Sequence, residues 1–141
     1  MKIAIGTDHR GFAHKEYIKQ QCVDHQWTDV GAYDDQRSDY PLYAKQVVNL
    51  MLSGEVDCGV LLCSTGIGMA IVANRYPSIY AAVVWNEEIA RQAKAEDNMN
   101  VLVLSSDCVT LDQSVGISQV WLATSFKGGR YAKRLAMIDT K

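Results

Sequence analysis

No run of 18 apolar residues occurs anywhere in this 141-residue sequence, so no segment of it reads as a membrane-spanning helix. The opening MKIAIGTDHR has one lysine and only a few apolar or small residues before polar ones. That is too short for a signal-peptide core, and the expected location is the cytoplasm. Cysteine is sparse and unpaired. Cys22, Cys58, Cys63 and Cys108 form no CxxC and have no histidine at ligand spacing, which disfavours a zinc site or a disulfide framework and leaves reduced thiols. An excess of basic charge is also missing. Fourteen Lys and Arg stand against sixteen Asp and Glu, so no global field would hold nucleic acid or an anionic membrane, and any anion site must be local. Proline occurs only twice and there is no low-complexity tract; with 48% hydrophobic residues the chain is an ordinary globular one. Its length suits one domain over residues 1–141 that buries its own core.

What is present is a recurring pattern. Apolar stretches of strand length stand at 2–5, 27–32, 57–63, 79–85 and 100–105. Ala44, Val47, Val48, Met51 and Leu52 follow the spacing of a core-facing helix stripe, with Pro41 suited to the first turn. Further helices are predicted over 11–24, 66–75, 87–96, 111–124 and 129–138. Strands alternating with helices predict a single-domain, Rossmann-like (flavodoxin-like) α/β/α fold with a five-stranded parallel sheet. The segment at 129–138 has no strand before it and is expected to pack as an extra helix. The VLL and AAVV runs, apolar without alternation, read as central strands, and the expected strand order is 2-1-3-4-5. In that order the reversal lies between strands 1 and 3. The loops GTDHRGF and CSTGIG then face one another beyond the carboxyl ends, where such sheets bind ligands.

Several chemistries can be tested on those loops. There is no GxxxxGK[ST], which disfavours a P-loop. A cysteine phosphatase would want arginine six residues after its nucleophile, where Met69 stands, and a response regulator would want aspartate at Cys63. The first loop also lacks the Ser/Thr richness usual for flavin mononucleotide. Ser64, Thr65, Gly66 and Gly68 form a turn into a helix, where free amides favour negative charge, although a plain glycine turn would read the same way. Cys63, just before that helix, is in the setting that lowers a thiol pKa; base and buried hydrophobe are both open. Cys22, Cys58 and Cys108 read as packing, and His14 and His25 as surface residues. In the first loop, His9 can donate to an anion and Asp8 can accept from hydroxyls. Arg130 and Arg134, four apart on one helix, can grip a phosphate or simply face solvent.

These stretches together resemble the ribose-5-phosphate isomerase B family, which includes the galactose-6-phosphate isomerase subunits. The resemblance is carried by IGTDHRGF, RSDYPLYA (37–44), GEVDCGVLLCSTGIGMAIVANR (54–75), NVLVL led by Asn100, and FKGGRYAKR (126–134), nearly the full length. It implies a homodimer or tetramer, with no metal or other cofactor, that converts an aldose phosphate to a ketose phosphate at sites shared between subunits. Cys63 would be the base acting through an enediolate, with the amides of Ser64 to Gly68 stabilising the oxyanion and Thr65 assisting ring opening. Asp8, His9 and Tyr40 would contact substrate, with His9, Arg130 and Arg134 taking the phosphate.

Departures from the family pattern bear on the substrate. Where members usually carry a ring-opening histidine in HN[DN]xN, this chain reads EDNMN, with Glu96 at the histidine position and Asp97 for asparagine. Asp107 replaces a phosphate-contacting arginine, and Ser64 replaces a glycine. The expectation is therefore a sugar-phosphate isomerase for ribose 5-phosphate or a related tetrose or hexose phosphate. The alternative is a non-catalytic binding member, or a subunit that needs a second kind of chain.

Overall fold

The apolar run at 57–63 becomes β3, Cys58–Cys63, and every residue of it is buried. Its side chains alternate between two cores. Cys58, Val60 and Leu62 pack with Ile18, Trp121 and Ile117 on one face, while Leu61 and Cys63 pack with Ala44, Val47 and Met69 on the other. A strand covered on both faces needs no polar alternation, which is why this one reads as continuously apolar.

The computed structural model describes residues 1–140. Around β3 stand β1 (Lys2–Thr7), β2 (Gln26–Asp29), β4 (Ala81–Val83) and β5 (Val101–Ser105), all parallel. The helices are α1 (Phe12–Gln21), α2 (Tyr40–Leu52), α3 (Ile67–Ala73), α4 (Glu87–Asp97), α5 (Leu111–Ala123) and α6 (Arg130–Asp139). A short 3-10 turn, His9–Gly11, precedes α1. The helices pack in two layers, with α2 and α3 on one face of the sheet and α1, α4 and α5 on the other.

The strand order is β2-β1-β3-β5-β4, which corrects the expected 2-1-3-4-5. The physical reason lies in the two last strands. β5 is five residues, all buried, whereas β4 is three residues, each only half-buried, and the strand with the larger fully apolar surface takes the interior. The chain leaves β3, crosses by α3 to the far edge, and returns by α4 to the gap beside β3. Because parallel crossovers keep one hand, that change of direction puts α4 on the face opposite α3. The reversal between β1 and β3 is as expected, so the loops after these two strands are neighbours.

The stripe on α2 holds at Ala44, Val47 and Val48, which are buried; Met51 is half-buried and Leu52 exposed. A feature absent from the sequence pattern is Lys15, whose side chain is fully buried. Its Nζ donates to both oxygens of Asp29 at 2.7 Å, tying α1 to the end of β2. The same carboxylate accepts from the Gly31 N–H at 2.9 Å, which sets the chain's exit from the sheet. Among the described residues no helix is long and apolar enough to cross a membrane.

Candidate active site

The carboxyl ends of β1 and β3 bring the first-loop and cysteine-loop residues together as expected. Asp8 is buried after β1 and its Oδ1 accepts from the Arg10 N–H at 2.9 Å, capping the 3-10 turn. His9 follows, half-buried, with Nδ1 accepting from the Ser38 N–H at 3.2 Å. That bond leaves Nε2 as the protonated nitrogen of the neutral ring, a donor toward any bound oxygen. Ser38, missed by sequence reading, is a backbone partner and so leaves no side-chain signature.

Cys63 closes β3 with 4% of its surface exposed, and the Gly66 N–H donates to its Sγ at 3.1 Å. Gly66 holds φ +79°, a left-handed conformation that lets the strand turn into α3 within three residues. Thr65 is exposed, with Oγ1 accepting from the Ile67 N–H. Gly68 faces the ring of Tyr40. A Cβ there would lie 2.5 Å from the Tyr40 Cζ, so only glycine lets the phenol rest against the start of α3.

The expectation of a lowered thiol pKa at Cys63 is not met. Burial pushes the thiol up, the N–H groups of Gly66, Met69 and Thr65 oppose that, and the Asp8 carboxylate adds to the rise. Desolvation outweighs the loop amides because the sulfur is shut away from water. Cys58, in the core, is pushed further, up to about 12, again by burial. Cys108, read from sequence as packing, is exposed, and His14, read as a surface residue, is half-buried with Nε2 2.8 Å from the Val109 carbonyl oxygen. His25 is half-buried as well.

The loop after β5 clamps the two peptides that follow the cysteine. Ser105 Oγ donates to the Ser64 carbonyl at 2.6 Å and the Asp107 N–H to the same oxygen at 3.0 Å. The Cys63 carbonyl accepts from the Ser106 N–H at 3.0 Å and from its Oγ at 3.2 Å. Sequence reading missed Ser105 and Ser106 because it placed β4, not β5, beside β3. The signal was two serines at a strand end, informative only once that strand is known to be the neighbour.

Glu96, Asp97, Arg130 and Arg134 are not part of this cluster within one chain. Glu96 and Asp97 end α4, at the amino end of β5, where Asn100 O accepts from the N–H of Gly59 at the start of β3. From Gly59 to Cys63 the strand runs about 13 Å. Glu96 Oε1 accepts from Lys127 Nζ at 3.1 Å and from the Tyr131 hydroxyl at 3.4 Å. The Tyr131 ring gathers Lys127, Arg130 and Arg134 at 5.4, 5.0 and 5.5 Å from its centroid. Lys127 and Tyr131 were not singled out from sequence. Asp97 is exposed and borders a cleft with Leu135 and Ile138 of α6. Among the described residues no group of three or more His, Cys, Asp or Glu is placed to hold a metal ion.

The model of one family, described as Ribose/Galactose Isomerase, matches residues 3–138. The chain belongs to the ribose/galactose isomerase family. Ribose-5-phosphate isomerase B of Escherichia coli is 37% identical over 139 residues, covering 97% of this chain and 93% of that protein. The solved ribose 5-phosphate isomerase of Thermotoga maritima superposes with a TM-score of 0.96 at 42% identity, covering 99% of this chain and 98% of that one. The Mycoplasma genitalium ribose-5-phosphate isomerase B, solved with bound ribulose-5-phosphate, gives 0.91 at 34% identity, covering 98% and 93%. With this membership the chain is a sugar-phosphate isomerase, an enzyme that interconverts aldose and ketose phosphates. In this ribose/galactose isomerase three of the four departures noted in the sequence have a partner. The Ser64 carbonyl is held by Ser105, Glu96 pairs with Lys127, and Asp107 Oδ1 lies 3.2 Å from Arg10 Nη2.

Proposed function

We propose that residues 1–141 act as one isomerase domain for a phosphorylated aldose of the ribose 5-phosphate/ribulose 5-phosphate type, with Cys63 as the proton-transfer base. The observation that carries this reading is the placement of Cys63 Sγ at the carboxyl end of a buried strand, within reach of a loop amide at 3.1 Å and of the Asp8 charge. In the open-chain sugar the thiolate takes the proton from C2. The C–H electron pair forms the C1–C2 double bond and the carbonyl oxygen at C1 becomes an oxyanion facing the amides of Ser64, Gly66 and Gly68. The O2 proton is lost as the C2 carbonyl forms, C1 takes the proton from Cys63, and the C1 oxyanion is reprotonated, so the step balances with no external oxidant or cofactor.

Asp8 and Tyr40 would hold sugar hydroxyls, Thr65 and Glu96 would assist ring opening, and Asp97 would border the substrate. His9, Arg130 and Arg134 would take the phosphate. Because the Glu96 and arginine cluster sits at the other end of the sheet, a second copy of the chain completes each site, in a homodimer or tetramer working in the cytoplasm. Ile67 and Ile71 on α3 and Trp85 after β4 are more than half exposed, an apolar face suited to that contact. Tetrose and hexose phosphates are the related substrates to compare.

Incubating the purified chain with C4, C5 and C6 aldose and ketose phosphates in deuterated water, followed by NMR, tests the reading. Interconversion with solvent deuterium entering at C2 of the aldose or C1 of the ketose is the expected result, and Cys63→Ala should lower turnover about 10²–10⁴-fold while substrate still binds. Full turnover in that variant would end the cysteine mechanism. A second reading, a subunit that needs a different chain, is favoured by the engagement of Glu96 with Lys127 rather than with an open site. Turnover by this chain alone excludes it.

A further inference from the structure

The order β1-β3-β5 places β3 between the two strands whose loops carry Arg10 and Asp107. Their ion pair, Nη2 to Oδ1 at 3.2 Å, therefore crosses the carboxyl end of β3, where the Ser106 N–H also holds the Cys63 carbonyl and the Asp107 N–H the Ser64 carbonyl. The two side chains are 55% and 48% exposed, so solvent screens the pair and it is readily exchanged. Arg10 is also the single Lys or Arg of the three loops at this end: DHRG after β1, STG after β3 and SDCVT after β5. Asp8, buried beside it, and Asp107 make the mouth of the site acidic apart from Arg10 and His9. Within these three loops an anionic substrate meets one full positive charge, and that charge is already paired with Asp107.

We propose that Arg10 binds an oxyanion of the substrate, its ionised phosphate, and that Asp107 is an internal competitor which this anion displaces. A phosphate offers the guanidinium two parallel acceptors, where Asp107 uses one oxygen at 3.2 Å. Asp107 keeps its backbone bond to Ser64 when its carboxylate is released, so the cysteine loop is not disturbed by the exchange. The proposal rests on the reading of the substrate as a phosphorylated sugar.

The test is binding of inorganic phosphate to the full chain, by calorimetry, for wild type, Arg10→Gln, Asp107→Asn and the double variant. Arg10→Gln should raise the dissociation constant about tenfold, the loss of one charge-assisted contact, while Asp107→Asn should lower it. The gain from Asp107→Asn should shrink when residue 10 is already Gln, and Arg10→Lys should restore part of the binding if Arg10→Gln folds poorly. KM for ribose 5-phosphate should follow the same order with kcat nearly constant. Shifts of both single variants in one direction together with lower kcat would mean the pair only braces Ser64, and would overturn the proposal. So would an undiminished gain in the double variant, or phosphate affinity that neither variant moves. Because phosphate binding is measured without turnover, a chain that binds in the expected order but isomerises nothing refutes the function while upholding this exchange.

Discussion

Cys63 stands between two opposing influences, a ring of loop amides that favours thiolate and a dry surrounding that disfavours it. Burial wins, and the Asp8 charge reinforces it, so the thiol titrates above its ordinary range. A thiol whose pKa is raised becomes thiolate only at higher pH. The rate of alkylation of Cys63 by iodoacetamide, measured in a Cys108→Ser background because Cys108 is exposed, should therefore rise through and beyond the ordinary thiol region near about pH 8.5. Asp8→Asn keeps an oxygen to cap Arg10 but removes the charge, and should move that rise to lower pH. An unmoved profile would show that Asp8 does not act on the thiol. That Asp8, His9, Cys63, Ser64 and Gly66 come together was legible from sequence because they lie at strand ends and loops flanking a predicted reversal. Ser38, Ser105 and Ser106 were not, because what they bond to depends on which strands are neighbours.

At the level of elements, α1 and β2 are joined by a charge cluster rather than by apolar packing alone. Burial by itself would push the Asp29 carboxyl up, but hydrogen bonds from Lys15 and Lys19 and the Gly31 N–H outweigh it and hold it below the usual carboxylate range. A carboxyl with a lowered folded pKa contributes stability that is full above the unfolded pKa and lost as pH falls toward the folded one. Urea midpoints should fall as pH drops from about 5 to about 3 in the wild type, and this part of the fall should be missing in Asp29→Asn. At neutral pH the same variant leaves the fully buried Lys15 without its main anion and should cost about 3–5 kcal/mol. A cost well under ~1 kcal/mol would show that Glu16, 3.2 Å from the same Nζ, suffices. Nothing in the spacing of FAHKEYIK marked Lys15 as buried; its burial follows from the return of β2 beside β1.

For the whole molecule, the decisive fact is that the Cys63 cluster and the Glu96, Arg130 and Arg134 cluster occupy opposite ends of one sheet. If two copies share sites, a chain with Cys63→Ala and a chain with Arg130→Ala and Arg134→Ala, each inactive alone, should restore activity when co-refolded. Random pairing makes half of the dimers mixed with one intact site each, so about a quarter of wild-type activity is expected. No recovery, in mixtures shown by mass spectrometry to contain mixed dimers, would place all functional groups of a site within one chain. The mixed assembly also distinguishes shared sites from a need for a different subunit, since both chains here derive from the same sequence.

The sequence by itself determined the class of fold, the reversal point and the cysteine loop, because these follow from local periodicity, strand length and glycine chemistry along contiguous residues. The family resemblance named Glu96, Arg130 and Arg134 as well, but not where they lie. Tertiary structure alone decided the place of β4 at the edge, where three half-buried residues cannot compete with the five buried ones of β5 for the interior. It also decided the clamp of Ser105 and Ser106 on the cysteine loop, the burial of Lys15, and the upward shift of the Cys63 thiol. Each of these depends on contacts between residues far apart in the chain, and on how much water the packing excludes, neither of which a local pattern encodes.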